Sequence, residues 1–122
     1  MEKEFFESYY RTYNSEDPQA LSEFYHEEVV IRSAQGEQTG KETMVGTYQY
    51  IISKFTDQMT PKNIIIQGDQ AAIEIHDRFE AKEGVDDFLG QKFSKGDTFE
   101  LNLCAVYKVE GNKIKDITIY TK

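Results

Sequence analysis

The apolar residues of this chain keep one spacing up to Phe55 and another after Pro61, and that change constrains the fold more than any motif does. Phe5, Phe6, Tyr9, Tyr10 and Tyr13 recur at the three-and-four spacing of one helix face, with Glu2, Lys3, Glu7 and Arg11 on the other. Met44, Val45, Tyr48, Ile51, Ile52 and Phe55 form a second stripe, which carries Gly46 at a modest cost in helix propensity. Beyond Pro61, "NIIIQ" and "QAAIEIHDRFEA" read as strands, separated by a hairpin turn at Gly68-Asp69. "TFELNLCAVYKV" and "KIKDITIYTK" complete the sheet around a turn at Glu110-Gly111-Asn112. The chain thus predicts three helices followed by a long antiparallel sheet, an α+β order.

The second helix is the short one. Asn14 and Ser15 favour a turn, after which Asp17 caps a helix with Pro18 at its first position. Leu21, Phe24 and Tyr25 point inward from it, and "VVIRS" follows as a strand. "QGEQTG" reads as a loop or edge hairpin, and "KEGVDDFLGQKFSKGD" as a projecting hairpin end or lid. At 122 residues the expectation is a single domain, 1–122.

Composition excludes several classes. Hydrophobic content of 39%, with 13% aromatic, is too rich for a disordered chain. A formal charge of −8 repels nucleic-acid phosphates, and the lysines form no cluster. No apolar run approaches the roughly 20 residues of a membrane span. The acidic, amphipathic start is unlike a secretion signal, and the lone Cys104 cannot make an internal disulfide. The expectation is a cytoplasmic protein with neither a nucleic-acid nor a membrane partner.

Against this plain background Asp77 stands out. The strand alternation places it with Ile73, Ile75, Phe79 and Ala81, where the pattern calls for another apolar residue. A carboxylate in an apolar cavity has a raised pKa and is suited to proton transfer or to gripping a polar ligand atom. The competing reading is a solvated or ion-paired aspartate beside Arg78. A one-residue slip in register would instead point Glu74, His76 and Arg78 inward. His76 and Asp77 point to opposite faces, and with two histidines and one cysteine no metal site is expected. No glycine-rich phosphate loop or serine nucleophile elbow is present, and no cofactor is expected.

The element order, together with "FFESYYRTYNSEDPQALSEFYHEEVVI", "TGKETM" and "GNKIKDITIY", resembles the NTF2-like superfamily, nearest its small bacterial SnoaL-like and ketosteroid-isomerase-like members. The resemblance covers nearly the whole chain. It implies a cone-shaped, cystatin-like roll, with three N-terminal helices against a strongly curved antiparallel sheet. Its concave side would line a deep pocket and its convex side would support a homodimer. Position by position, Tyr9 matches the first-helix tyrosine of the ketosteroid isomerases. Cys104 stands where their protonated aspartate would be, and Ser33 where their proton-transferring aspartate would be. A thiol donates weakly and a lone serine is no base near neutral pH, so that mechanism is not expected. The last-strand carboxylate of the limonene-epoxide-hydrolase-like branch falls near Ile119, so that set is broken too.

With the implied curvature, Asn102, Cys104 and Val106 are expected to face the pocket, leaving Leu101, Leu103, Ala105 and Tyr107 for a convex dimer face. Ile75, Asp77 and Phe79 would line the concave side with Ile117 and Ile119, joined by Tyr9, Tyr13, Ser33 and Tyr48. The functional expectation is a domain that binds a small apolar metabolite with one polar handle. If it is catalytic, Asp77 transfers a proton and Tyr9 holds an oxyanion, in an isomerisation, cyclisation, dehydration or hydrolysis. The alternative is a non-catalytic dimeric binding or assembly module.

Overall fold

A computed structural model describes residues 2–121; Lys122, the end of the expected last strand, lies outside the described residues. Helices α1 (Lys3–Asn14), α2 (Pro18–Ser22) and α3 (Lys41–Lys54) accompany strands β1 (Tyr25–Ser33), β2 (Gly36–Thr39), β3 (Phe55–Gln67) and β4 (Gln70–Ala81). The chain continues through β5 (Val85–Phe88), β6 (Gln91–Phe93), β7 (Thr98–Glu110) and β8 (Lys113–Thr121). Six strands form one sheet in the order β2-β1-β8-β7-β4-β3, while β5 and β6 make a separate hairpin. Among the described residues, no helix is long and apolar enough to cross a membrane.

The aromatic stripe of α1 becomes its buried face: Phe6, Tyr9, Tyr10 and Tyr13 all lie in the core. Removing such side chains from water is the main drive that docks the helix on the sheet. Asp17 caps α2 by accepting from the Ala20 N–H at 3.1 Å, with Pro18 in the first turn. The helix ends at Ser22, so Tyr25 opens β1 instead of closing α2. Phe55 likewise begins β3 and does not belong to α3. Sheet pairing there overrides the helical stripe.

Pro61 sits inside β3, where the register shifts between Pro61 and Asn63. An edge strand tolerates the missing N–H, and β3 is the edge. β1 and β8 run parallel, which needs a long connection, and the chain supplies one by placing most of the fold between them. All other neighbours in the sheet are antiparallel.

Candidate functional site

On β4 the residues Ala71, Ile73, Ile75, Asp77, Phe79 and Ala81 are buried without a break. Asp77 is 2% exposed, opposite Leu101 on β7 and Met59 on β3. A second carboxylate meets it there. Asp57, also 2% exposed, stands opposite Phe79 on the same ladder. Two residues from Met59, it shares the face of Asp77 and is its diagonal neighbour, a relationship of about 7–8 Å between Cα atoms.

Helix α1 holds Asp57 in place. Asn14 Nδ2 donates to the Met59 carbonyl at 2.9 Å, and the Met59 N–H donates to Asn14 Oδ1 at 2.8 Å. The side-chain amide thus pairs with the free edge of β3 as another strand's peptide group would. One residue earlier, the Tyr13 hydroxyl donates to Asp57 Oδ2 at 2.7 Å. The Tyr48 hydroxyl donates to the Tyr13 carbonyl at 2.5 Å and ties α3 into the cluster.

Burial raises both carboxyls above the ordinary carboxylate range, because desolvation penalises the charged form. Their interaction then separates them. For Asp77, a hydrogen bond to Asp57 and the charge of Asp57 add to the effect of burial. For Asp57, hydrogen bonds from Asp77 and Tyr13 oppose it. Asp77, pushed up to about 10, therefore keeps its proton at neutral pH and can donate it to Asp57. Apart from that proton, Asp57 Oδ1 and Asp77 Oδ1 find no hydrogen-bond donor among the described residues, although both atoms are buried.

The two carboxyls line a cavity of about 520 Å³, a size that suits a small molecule. Tyr13 and Tyr48 wall it from the helices, and Leu101, Leu103, Ala105 and Tyr107 from β7. Ser33, Gln35, Gln38, Thr47, Leu89 and Gln91 are its more exposed lining, between the β1–β2 hairpin, α3 and the β5–β6 hairpin. Near that hairpin Phe79 and Phe99 stack with centroids 4.4 Å apart, and Phe93 stacks on Phe99 at 4.8 Å. Among the described residues, the lining contains no lysine, arginine or histidine.

Of the residues expected at the pocket, Tyr9, Tyr13, Ser33, Tyr48, Ile75, Asp77, Phe79, Ile117 and Ile119 line the cavity. Asn102, Cys104 and Val106 do not. They occupy the outer face, opposite His76, Glu74 and Ala72. Partners across an antiparallel ladder share a face, so the burial of Asp77 carries Leu101 inward with it. The residues expected on a convex dimer face, Leu101, Leu103, Ala105 and Tyr107, are therefore the cavity wall. The alternative inward set also lies outside: His76 Nε2 is 3.5 Å from Glu100, Arg78 pairs with Glu80, and Glu74 accepts from Asn63.

The Tyr9 hydroxyl meets Tyr25 at 2.7 Å, and it is Tyr13 that reaches the carboxyl pair. Burial pushes the Tyr9 phenol up to about 12, against opposing hydrogen bonds with Tyr25 and Tyr107, so it keeps its proton. The sequence hides Asp57 because Pro61 reads as the start of the strand region. The alternation Phe55, Asp57, Met59 was the available signal.

A family model described as "SnoaL-like domain" matches residues 6–117. A search of curated proteins finds no significant match. Among solved structures, TsrD from Streptomyces laurentii superposes with a TM-score of 0.80 at 19% identity, covering 98% of this chain and 87% of that one. An LEH-like epoxide hydrolase of M. tuberculosis gives 0.79 at 12% identity, with coverages of 98% and 80%. A Pseudomonas putida protein provisionally described as a polyketide cyclase gives 0.77 at 22% identity, with coverages of 97% and 89%. At such identities the likeness establishes the fold alone.

Proposed function

We propose that this chain, which belongs to the SnoaL-like domain family, binds a small apolar molecule in its cavity and moves a proton on it with Asp57 and Asp77. The observation that carries this reading is the pair itself: two buried carboxyls side by side at the wall of an apolar cavity, both raised above the ordinary carboxylate range by burial. Asp77 donates to a basic atom of the ligand. Asp57, ionised, accepts a proton from a neighbouring ligand atom. The hydrogen bond between them then returns the proton to Asp77, and the pair ends as it began. Such a cycle serves an isomerisation or cyclisation, and with water a hydration, dehydration or hydrolysis. Tyr13 positions Asp57 by donating to its Oδ2.

Native mass spectrometry of the purified protein, paired with proton exchange in D₂O, tests the reading. Small apolar ketones and imines should exchange their α-hydrogens faster with the protein than without it, and Asp57→Asn should remove the acceleration. Unaccelerated exchange across the panel, with no retained small molecule, would end the proposal.

A homodimer through the outer sheet face accompanies this reading. Ile65, Ala72, Val106 and Thr118 form one row across four strands, and Tyr120 pairs with Cys104 beside it. Ile65 and Tyr120 are 60% and 58% exposed, more apolar surface than a solvated sheet face calls for. A cytoplasmic location is the compartment proposed for a chain with one unpaired cysteine.

A further inference from the structure

The charge balance of the cavity says more about its ligand than its shape does. Whatever negative charge the two carboxyls carry has no counterpart among the described lining residues, none of which is cationic. Tyr13 donates to one oxygen of Asp57, Oδ2. Among the described residues, Oδ1 of Asp57 and Oδ1 of Asp77 have no hydrogen-bond donor beyond the Asp77 proton itself. A buried charge without a partner is costly, so a ligand that supplies the opposite charge is favoured over one that adds to it.

We propose, resting on the proton-transfer reading above, that the ligand group meeting Asp57 and Asp77 is a basic nitrogen on an apolar skeleton, positively charged while engaged. An amine would sit there as its ammonium form, with N–H groups for both unanswered oxygens. An imine would become an iminium: its nitrogen lone pair forms the new N–H bond, the Asp77 O–H bond breaks, and that bond's electron pair stays on the carboxylate. Positive charge on the ligand then faces two carboxylates. A carbonyl oxygen would engage the single proton and leave Asp57 Oδ1 unanswered. A carboxylate or enolate would place a second negative charge beside the first.

The surroundings favour the same charge. Phe79 lies directly across the ladder from Asp57, and Tyr13, Phe88 and Phe99 also line the cavity. Aromatic walls attract cations through the ring quadrupole and offer nothing comparable to an anion. This differs from a site built around an oxyanion, which needs spare hydrogen-bond donors. The phenol that reaches the pair, Tyr13, already gives its O–H to Asp57.

Calorimetry on the whole chain with benzylamine, benzyl alcohol and benzoate as probes tests the inference. Benzylamine is expected to bind at least about tenfold more tightly than benzyl alcohol, and benzoate more weakly than either. Wild-type binding of benzylamine at pH 7 should release up to one proton, seen as a heat that differs between phosphate and Tris buffers. Benzyl alcohol should show no such difference. Asp77→Asn should weaken benzylamine about tenfold and leave benzyl alcohol within about twofold. Benzyl alcohol or benzoate binding as tightly as benzylamine, or benzylamine binding without proton release, would overturn the inference while leaving proton exchange on ketones intact. If none of the probes binds and no exchange is accelerated, both readings fall.

Discussion

Asp57 and Asp77 reach the same face of the sheet from neighbouring strands, both buried, and Asp77 keeps its proton at neutral pH. Their separation in the sequence hides this relationship, and the β3–β4 register creates it. It also makes the pair measurable from outside the cavity, because a proton held by the folded state alone appears in stability.

Stability should fall as pH rises. Asp77 has a folded-state pKa above its unfolded value near 4, so the folded state binds more protons than the unfolded state over the interval between them. The contribution is complete below about pH 4 and is lost as pH rises toward the folded-state value. Asp57, also raised, adds to the loss at the acidic end. The slope between pH 5 and pH 8 should approach ~1.4 kcal/mol per pH unit at most. Asp77→Asn keeps a donor for Asp57 and should flatten the curve, so that the variant gains on the wild type as pH rises. Urea unfolding at several pH values checks this, and parallel curves for the two proteins would refute it.

Tyr13→Phe should raise the pKa of Asp57. The lost phenol removes a hydrogen bond that favours the ionised form. Carboxyl carbon chemical shifts followed through a pH titration report it directly. A stability loss of about 1–2 kcal/mol at neutral pH is expected as well, since a charge-assisted bond is removed. Any proton-transfer activity should shift to higher pH without vanishing.

Asn14→Ala should be costly for a partly buried helix-end residue. It removes two hydrogen bonds at once and leaves the Met59 N–H and C=O on the edge of β3 without partners. About 2–3 kcal/mol is the expected loss, read from the urea midpoint. Asn14→Asp, which keeps the acceptor and loses the donor, should recover part of it. Hydrogen exchange at Met59 should quicken in the alanine variant before global unfolding.

Substitutions at adjacent positions of β7 should separate the two faces. Leu103→Ala opens the cavity wall and should cost about 2–4 kcal/mol. Cys104→Ala, on the outer face, should cost less than about 1 kcal/mol. Tyr120→Asp tests the proposed dimer: light scattering should change from a dimeric to a monomeric mass with little change in the melting temperature measured at high dilution. A wild-type protein that is monomeric at micromolar concentration would exclude that assembly.

Local signals were enough for much of this molecule. The stripe Phe6, Tyr9, Tyr10, Tyr13 marks α1, Asp17-Pro18 marks the start of α2, and the alternation around Ile73, Ile75, Asp77 and Phe79 marks a strand with one misplaced carboxylate. Each rests on residues a few positions apart, which the helix and strand periods relate directly. The inward direction of Asp77 was legible because its own neighbours on β4 declare it.

Asp57 and the true faces of β7 were not legible in this way. Leu101, Leu103, Ala105 and the alternates Cys104 and Val106 are all apolar enough for either side, so the strand's own pattern does not choose. The choice comes from pairing Leu101 with Asp77, a contact made by residues distant in the chain. Pro61 is a stop signal in isolation and an acceptable edge residue once β3 has only one neighbour. Local pattern is enough for the elements, their order and one buried acid. That this acid has a partner emerges in the folded chain alone, because register and strand order are set by long-range pairing that no local period encodes.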